Sequence, residues 1–376
     1  MIIGSIRLKN FRNHSDTDLE FGERANVILG NNGEGKTNLL EAISYICLTK
    51  SFYASSDSVI VKIGEDKFEI DAIVISDLGS NYRIHISYDL TNSEKNYSLN
   101  GKKLETFSSI IGKFPIVFLS PEKAGITFGG PAERRKFLDL VISQSDLVYF
   151  SELSEYRKVL RHRNKILSEI KNSRSDYYTI LEPWNVQLIN YGSKLMIKRA
   201  AFIDEFKNYI LSTYKNLSDV NECPEIQYTA SFSFDGEAVY EKITEKFRNE
   251  LIKKFDDEIR FGTTLVGPHR DEVSLKINKM DLRKYASQGQ HKTFLVALKL
   301  AEYFYLKERC QESPILLLDD VFSELDDSRV QHMLRIIETL NQTFITSTNF
   351  EIFDKVLEFG KSNRKYIVSS GNVKES

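Results

Sequence analysis

Apolar and polar positions over Ser5 to Phe11, Thr17 to Phe21 and Asn26 to Leu29 alternate in runs that predict strands. The third run breaks off in a glycine-rich turn, and the pattern from Lys36 to about Leu48 predicts a helix. Residues 58 to 104 predict more strands, VIVKI, KFEIDAIVI and YRIHISYDL, then a hairpin turning at Asn100-Gly101; PIVFL predicts another. From Pro131 the spacing lengthens to that of charged amphipathic helices: ERRKFLDLVIS, Leu147 to about Ile170, and about Asp176 to Thr213. Strand spacing returns in EIQYTASFS, followed by a charged helix over about Glu237 to Asp257. After Thr263 the order strand, helix, strand, helix, strand reads as half of a parallel sheet.

Two separated halves of one nucleotide-binding layer explain this order if the helical block is an insertion. The expected fold is therefore α/β, a mixed sheet plus a parallel sheet carrying a phosphate loop. Residues 1–130 and 261–376 form its two halves, and residues 131–260 form an inserted, mainly helical lobe.

Composition narrows the partners. The 376 residues carry 51 Lys and Arg against 53 Asp and Glu, so attraction to a polyanion must come from local basic patches. Cys47, Cys223 and Cys310 are far apart and have no metal-ligand spacing. The opening residues lack a signal-peptide core and no apolar run reaches membrane-spanning length, so the expected setting is the reducing cytoplasm.

The chemistry begins at Gly30-Asn31-Asn32-Gly33-Glu34-Gly35-Lys36-Thr37, which fits GxxxxGK[ST] between an apolar strand and a helix. Small residues let backbone N–H groups turn onto phosphates, Lys36 reaches the β- and γ-phosphates, and the Thr37 hydroxyl ligates Mg²⁺. With Asn38, these are the candidate ATP-binding residues. Ile315-Leu316-Leu317-Leu318-Asp319-Asp320 is an apolar strand delivering two carboxylates at its C-terminal edge, where α/β ligands bind. Asp319 is then the second Mg²⁺ residue, while Asp320 orients or deprotonates the attacking water beside catalytic Lys36.

Ser287-Gln288-Gly289-Gln290 opens an amphipathic helix whose Phe294, Ala297, Leu298, Ala301 and Tyr305 share one face. Taken alone, Ser287 is an ordinary helix cap. The tetrapeptide also resembles the ABC signature, with Gln288 in place of glycine. A hydroxyl and free N–H groups at a helix start bind anions, and the phosphate loop already serves its own subunit, so this second anion site points to a partner's ATP. Ser323-Glu324-Leu325-Asp326, directly after the carboxylates, looks like the D-loop that crosses an ABC dimer interface.

LKNFRNH, GNNGEGKTNLLEAI, VFLSPE, GGPAERRKFLD, LVGPHRDE, SQGQHKTFLVALKLAE and LLLDDVFSELD occur in that order. Through these motifs essentially the whole chain resembles the RecF family of bacterial recombination-repair ATPases, related to SMC proteins. The resemblance implies an ABC-type head with an inserted helical lobe, an ATP-dependent homodimer on DNA, and work with RecR and RecO in loading RecA at single-strand gaps. It also implies that Arg12 approaches the nucleotide. Asp where many ABC-type ATPases carry Glu shortens the base by one methylene, which implies slow turnover. Ile277-Asn278-Lys279-Met280-Asp281 lacks an expected turn glycine, and Thr346-Ser347-Thr348 stands where transporters keep a switch histidine.

Arg134 and Arg135 oppose the dipole of the helix they open, which marks them as interface or DNA candidates. Arg157, Lys158, Arg161 and Arg163 lie in the densest basic stretch and are the other DNA candidates, against the plainer reading of a solvated face. His269-Arg270-Asp271 after Gly267-Pro268 predicts a structural or dimer-facing loop. A P-loop small-molecule kinase acting as a monomer would share the loop and carboxylates but have no use for Ser287 or Asp326. An ABC transporter cassette would place its two halves closer in sequence.

Overall fold

The structure is a computed structural model describing residues 1–121, 125–170, 177–217, 222–233, 239–324, 327–354 and 356–376. It divides into two compact units, one of Met1–Ala124, Thr213–Val220 and Leu295–Ser376, the other of Gly125–Ser212 and Asn221–Phe294. The second unit reaches further along the chain than the helical lobe expected over 131–260, because an antiparallel sheet is built into it.

In the first unit, among the described residues, one sheet has the order Asn372–Glu375, Arg364–Ser369, Ala25–Leu29, Thr343–Ser347, Ile315–Asp319, Ile116–Leu119. All its pairings are parallel except that of the edge strand Asn372–Glu375. Ala25–Leu29, Thr343–Ser347, Ile315–Asp319 and Ile116–Leu119 are buried at every position, as a sheet covered on both faces requires, and this is why the runs ILLL and IVFL are continuously apolar in sequence. Strands from the two ends of the chain meet in this sheet. Ala25–Leu29 lies between strands from the far end of the chain, with Ile28 opposite both Thr346 and Tyr366.

The second sheet of this unit has the order His14–Glu20, Ile2–Phe11, Lys67–Ile75, Asn81–Asp89, Glu94–Leu99, Lys102–Lys103, and is antiparallel. Its alternating sequences bury alternate residues, such as Ile70 opposite Ile86. Asn100 (φ 52°) and Gly101 (φ 80°) are both left-handed, as a two-residue hairpin turn needs.

The strand expected at VIVKI is absent. Asp57–Ile60 is a single 3₁₀ turn, followed by one bridge from Val61 to Phe11, and Ile63 is fully exposed. The Asp57 carboxylate accepts from Tyr45 Oη and Lys95 Nζ, which ties this segment down by its side chain in place of a ladder.

In the second unit the helices Pro131–Ser145, Leu147–Ile170, Tyr177–Leu217, Tyr240–Lys253 and Phe255–Phe261 follow the amphipathic spacing, the third running on into the first unit. Glu272–Ile277 was expected in the parallel layer and belongs instead to a small antiparallel sheet, between Met280–Asp281 and Pro224–Thr229. Its hairpin manages without glycine by placing Asn278 and Lys279 at φ 50° and 67°. Asn278 Oδ1 accepts the Cys223 N–H at 2.8 Å, a local compensation for the left-handed backbone.

The interior of this unit holds charge. Arg199 donates to Asp139 (2.7 Å), to the Tyr149 hydroxyl (3.0 Å) and to the Pro268 carbonyl (2.6 Å). His269 sits between the Tyr156 hydroxyl (2.6 Å) and the Thr264 carbonyl (3.0 Å), and burial pushes its pKa down to about 4. The His269-Arg270-Asp271 loop thus does structural work in this unit. Among the described residues, no helix is long and apolar enough to cross a membrane.

Candidate functional site

The buried strand Ala25–Leu29 ends at Gly30, and the helix Lys36–Leu48 begins six residues later. A Cβ on Gly30 would stand 2.5 Å from the Val368 carbonyl oxygen, so the turn passes the neighbouring strand closer than any other residue type allows. Gly35 has φ 112°, and a Cβ there would meet Asn13 Oδ1 at 2.5 Å. Asn13 clamps the loop: its Nδ2 donates to the Glu34 carbonyl (2.8 Å), and its Oδ1 accepts from Asn38 Nδ2 (2.7 Å). The Gly371 N–H also reaches the Glu34 carbonyl. Asn31, Asn32 and Gly33 form the exposed rim.

Lys36 is buried and donates from Nζ to the Gly30 and Asn31 carbonyls at 2.8 and 2.9 Å. Burial lowers its pKa, opposed by the charges of Asp320, Asp319 and Glu34. Thr37 Oγ1 donates to Asp319 at 3.0 Å (Oδ1) and 3.2 Å (Oδ2), joining the two sequence motifs into one site. Thr346 Oγ1 donates to Asp319 Oδ1 at 2.6 Å and accepts the Asp320 N–H at 2.9 Å. Asp320 itself is left-handed, φ 50°, where the chain leaves the strand. Tyr53 Oη donates to Asp319 Oδ2.

Oxygen donors from a hydroxyl and a carboxylate fit a hard divalent cation such as Mg²⁺. Among the described residues no group of three or more His, Cys, Asp or Glu could hold a metal. A cation here would need phosphate oxygens to complete its shell, as a metal bound together with a nucleotide does.

Arg12 does not face the loop with free donors. It is left-handed (φ 55°) and makes a two-pronged pair with buried Glu41 at 2.7 and 2.8 Å, with its third contact on the Val59 carbonyl. Sequence reading passed over Asn13, Thr346 as an Asp319 partner, and Tyr53. The adjacency of Asn13 to Arg12 in FRNH was the available signal for the first, and single-chain spacing carries none for Tyr53.

Ser287, Gln288, Gly289 and Gln290 stand in the second unit. Ser287 Oγ accepts the Gln290 N–H (3.2 Å) and Gln290 Oε1 accepts the Ser287 N–H (2.8 Å), a reciprocal capping box. Ser287 and Gln288 are exposed. The helix Gln288–Cys310 buries Phe294, Ala297, Leu298, Ala301 and Tyr305, as its spacing predicted. Asp326 lies outside the described residues.

The basic candidates separate by burial. Arg163 is fully buried, with its guanidinium on Glu258 (2.6 Å), Asn185 (2.8 Å) and Thr264 (2.8 Å), so it is not a DNA-facing residue. A charge run along a helix also contains the positions that turn inward. Arg134 is buried on Glu272 and the Gly129 carbonyl, and Arg135 is half-buried on the Asp271 carbonyl. Arg157 pairs with Asp139 and Lys158 with Glu155 from exposed positions, and Arg161 is exposed.

A buried parallel sheet, a phosphate loop between strand and helix, and a carboxylate pair two strands away define a phosphate-loop nucleotide-binding head. The model of the RecF/RecN/SMC N terminal domain family matches residues 2–367. The DNA replication and repair protein RecF of Chloroherpeton thalassium is 41% identical over 363 residues, 95% of this chain and 97% of that protein. RecF of Salinibacter ruber is 37% identical, over 95% of this chain and 87% of that protein. The solved structure of the recombination mediator protein RecF-ATP in the RecFOR pathway superposes with a TM-score of 0.90 at 36% identity, covering 100% of this chain and 97% of that one. The Smc head domain of Pyrococcus furiosus, at 14% identity and TM-score 0.57, shares the fold. The chain belongs to the RecF/RecN/SMC N-terminal domain family, on the RecF branch of DNA replication and repair proteins.

Proposed function

We propose that this chain binds ATP with Mg²⁺, closes into a homodimer on DNA, hydrolyses ATP slowly, and assists RecO and RecR in loading RecA at single-strand gaps. The observation carrying the reading is the hydrogen bond from Thr37 to Asp319, which brings the phosphate loop and the carboxylate edge together within one unit and so supports a shared Mg-nucleotide site. Relatives named as recombination mediators of the RecFOR pathway support the pathway and its partners.

In this reading the loop N–H groups and Lys36 hold the phosphates, and Thr37 and Asp319 hold the metal that neutralises charge on them. Asp320 orients or deprotonates water, and Ser287 with Gln288, Gly289 and Gln290 meets the ATP of a second copy, with Asp326 nearby. Exposed Arg157, Lys158 and Arg161 are the DNA candidates that remain, with half-buried Arg135 at the margin. The exposed capping box supports the trans contact, because its hydroxyl is at a helix start and open to solvent; it equally serves a monomer.

Light scattering with and without ATP, then with duplex and gapped DNA, tests the reading. Dimers that form only with ATP, and turnover raised by DNA, are expected. A monomer under all conditions, with turnover stimulated by a small metabolite, would return the chain to the kinase class.

A further inference from the structure

Tyr53 and Thr346 are donors on Asp319 that neither sequence motif contains, and Tyr53 is the one on Oδ2. Its hydroxyl lies on Oδ2, while Oδ1 takes both Thr346 (2.6 Å) and Thr37 (3.0 Å). Among the described residues, Oδ2 otherwise has the longer arm of the forked bond from Thr37, at 3.2 Å. Oδ2 is therefore the oxygen with capacity for a cation or a cation-held water, and Tyr53 fills it.

The residue is seated rather than loosely placed. Ser51 Oγ accepts the N–H groups of Tyr53 and Ala54, both at 2.8 Å, and donates to Glu41, the carboxylate gripped by Arg12. The Tyr53 ring stands edge-on to Phe118 (5.4 Å, 85°), and Phe52 stacks on the same ring (4.6 Å, 17°). Phe118 lies on the strand next to Ile315–Asp319. A chain of contacts thus runs Arg12, Glu41, Ser51, Tyr53, Asp319, all in the first unit.

We infer that Tyr53 is a positioning residue that holds the Asp319 carboxylate through Oδ2 and competes with the metal for it. Entry of Mg²⁺ with the nucleotide displaces the hydroxyl from Oδ2 and frees the segment around Ser51 to Ala54. The inference rests on the Mg-nucleotide reading above. A hydrogen bond to a charged acceptor is worth enough that deleting it should lower the Mg²⁺ concentration at half-saturation on the order of tenfold.

The test is a Mg²⁺ titration of the full chain with a fluorescent ATP analogue, comparing wild type and Tyr53→Phe, which keeps the ring against Phe118. Ser51→Ala, which loosens the seat without touching Asp319, should shift half-saturation in the same direction by less. Hydrogen exchange of residues 51–54 in the wild type should speed up when Mg²⁺ and nucleotide are added together. Half-saturation that is unchanged or higher in Tyr53→Phe, or exchange that slows, overturns the inference. A wild type whose nucleotide binding ignores Mg²⁺ would instead sink the reading of the site itself.

Discussion

Thr37 and Asp319, 282 positions apart in sequence, are joined by a forked hydrogen bond of 3.0 and 3.2 Å. One residue lies in the first turn of the helix Lys36–Leu48 and the other closes a buried strand, so the pair meets only when the sheet is assembled.

Lys36→Met should lower nucleotide affinity roughly 10- to 100-fold, the worth of a charged hydrogen bond to phosphate. It also strips the Gly30 and Asn31 carbonyls of their donor. Calorimetric titration with ATP measures it, and wild-type affinity with wild-type turnover would remove Lys36 from the site.

Asp320→Asn should bind Mg-ATP normally and hydrolyse it about 10²- to 10⁴-fold more slowly, the usual range for losing a general base. Asn tolerates the left-handed φ of 50° nearly as well as Asp, and the backbone N–H to Thr346 is untouched. Unchanged single-turnover hydrolysis would place the base elsewhere.

Ser287→Arg should leave ATP binding intact, since the phosphate loop is in the other unit, and should abolish ATP-dependent dimers. The capping box is lost at the same time, which costs about 0.5–2 kcal/mol. Ser287→Ala loses the same cap without adding bulk, so light scattering on both variants separates the two roles. Dimers persisting in Ser287→Arg would leave Ser287 as a cap alone.

Arg163→Met should destabilise the second unit by about 3–5 kcal/mol, because it leaves Glu258 charged and buried without its partner. Arg161→Glu, an exposed change, should leave the melting temperature within error and weaken DNA binding with a shallower salt dependence. Thermal unfolding and salt-titrated DNA binding read the pair. The opposite assignment would reverse which of them melts early.

His269 has a folded pKa of about 4 against an ordinary 6.5, so the native state refuses a proton that the unfolded chain accepts. Its contribution is complete above pH 6.5 and declines as pH falls towards 4, by about 3 kcal/mol in all. Denaturant unfolding of wild type and His269→Gln at pH 7, 5.5 and 4.5 isolates it from carboxylate titration. The stability difference between the two should shrink steadily with acid, and a constant difference would contradict the assignment.

The sequence by itself determined whatever depends on neighbours along the chain. The loop from Gly30 to Thr37 was legible because a phosphate cradle is made of consecutive backbone groups, and its helix begins at Lys36 as the spacing required. Buried strands such as Ile315–Asp319 were legible because covering both faces demands an unbroken apolar run. Tertiary structure alone decided which distant partner each polar residue meets. Charge spacing could not show that Arg163 turns inward to Glu258 while Arg161 stays outside, since both lie in one basic stretch. Period could not place Glu272–Ile277, because a half-buried strand looks the same in either sheet until its neighbour is chosen. Tyr53 could not be tied to Asp319 from its own surroundings, because their contact needs the strand Ile116–Leu119, and with it Phe118, laid beside Ile315–Asp319.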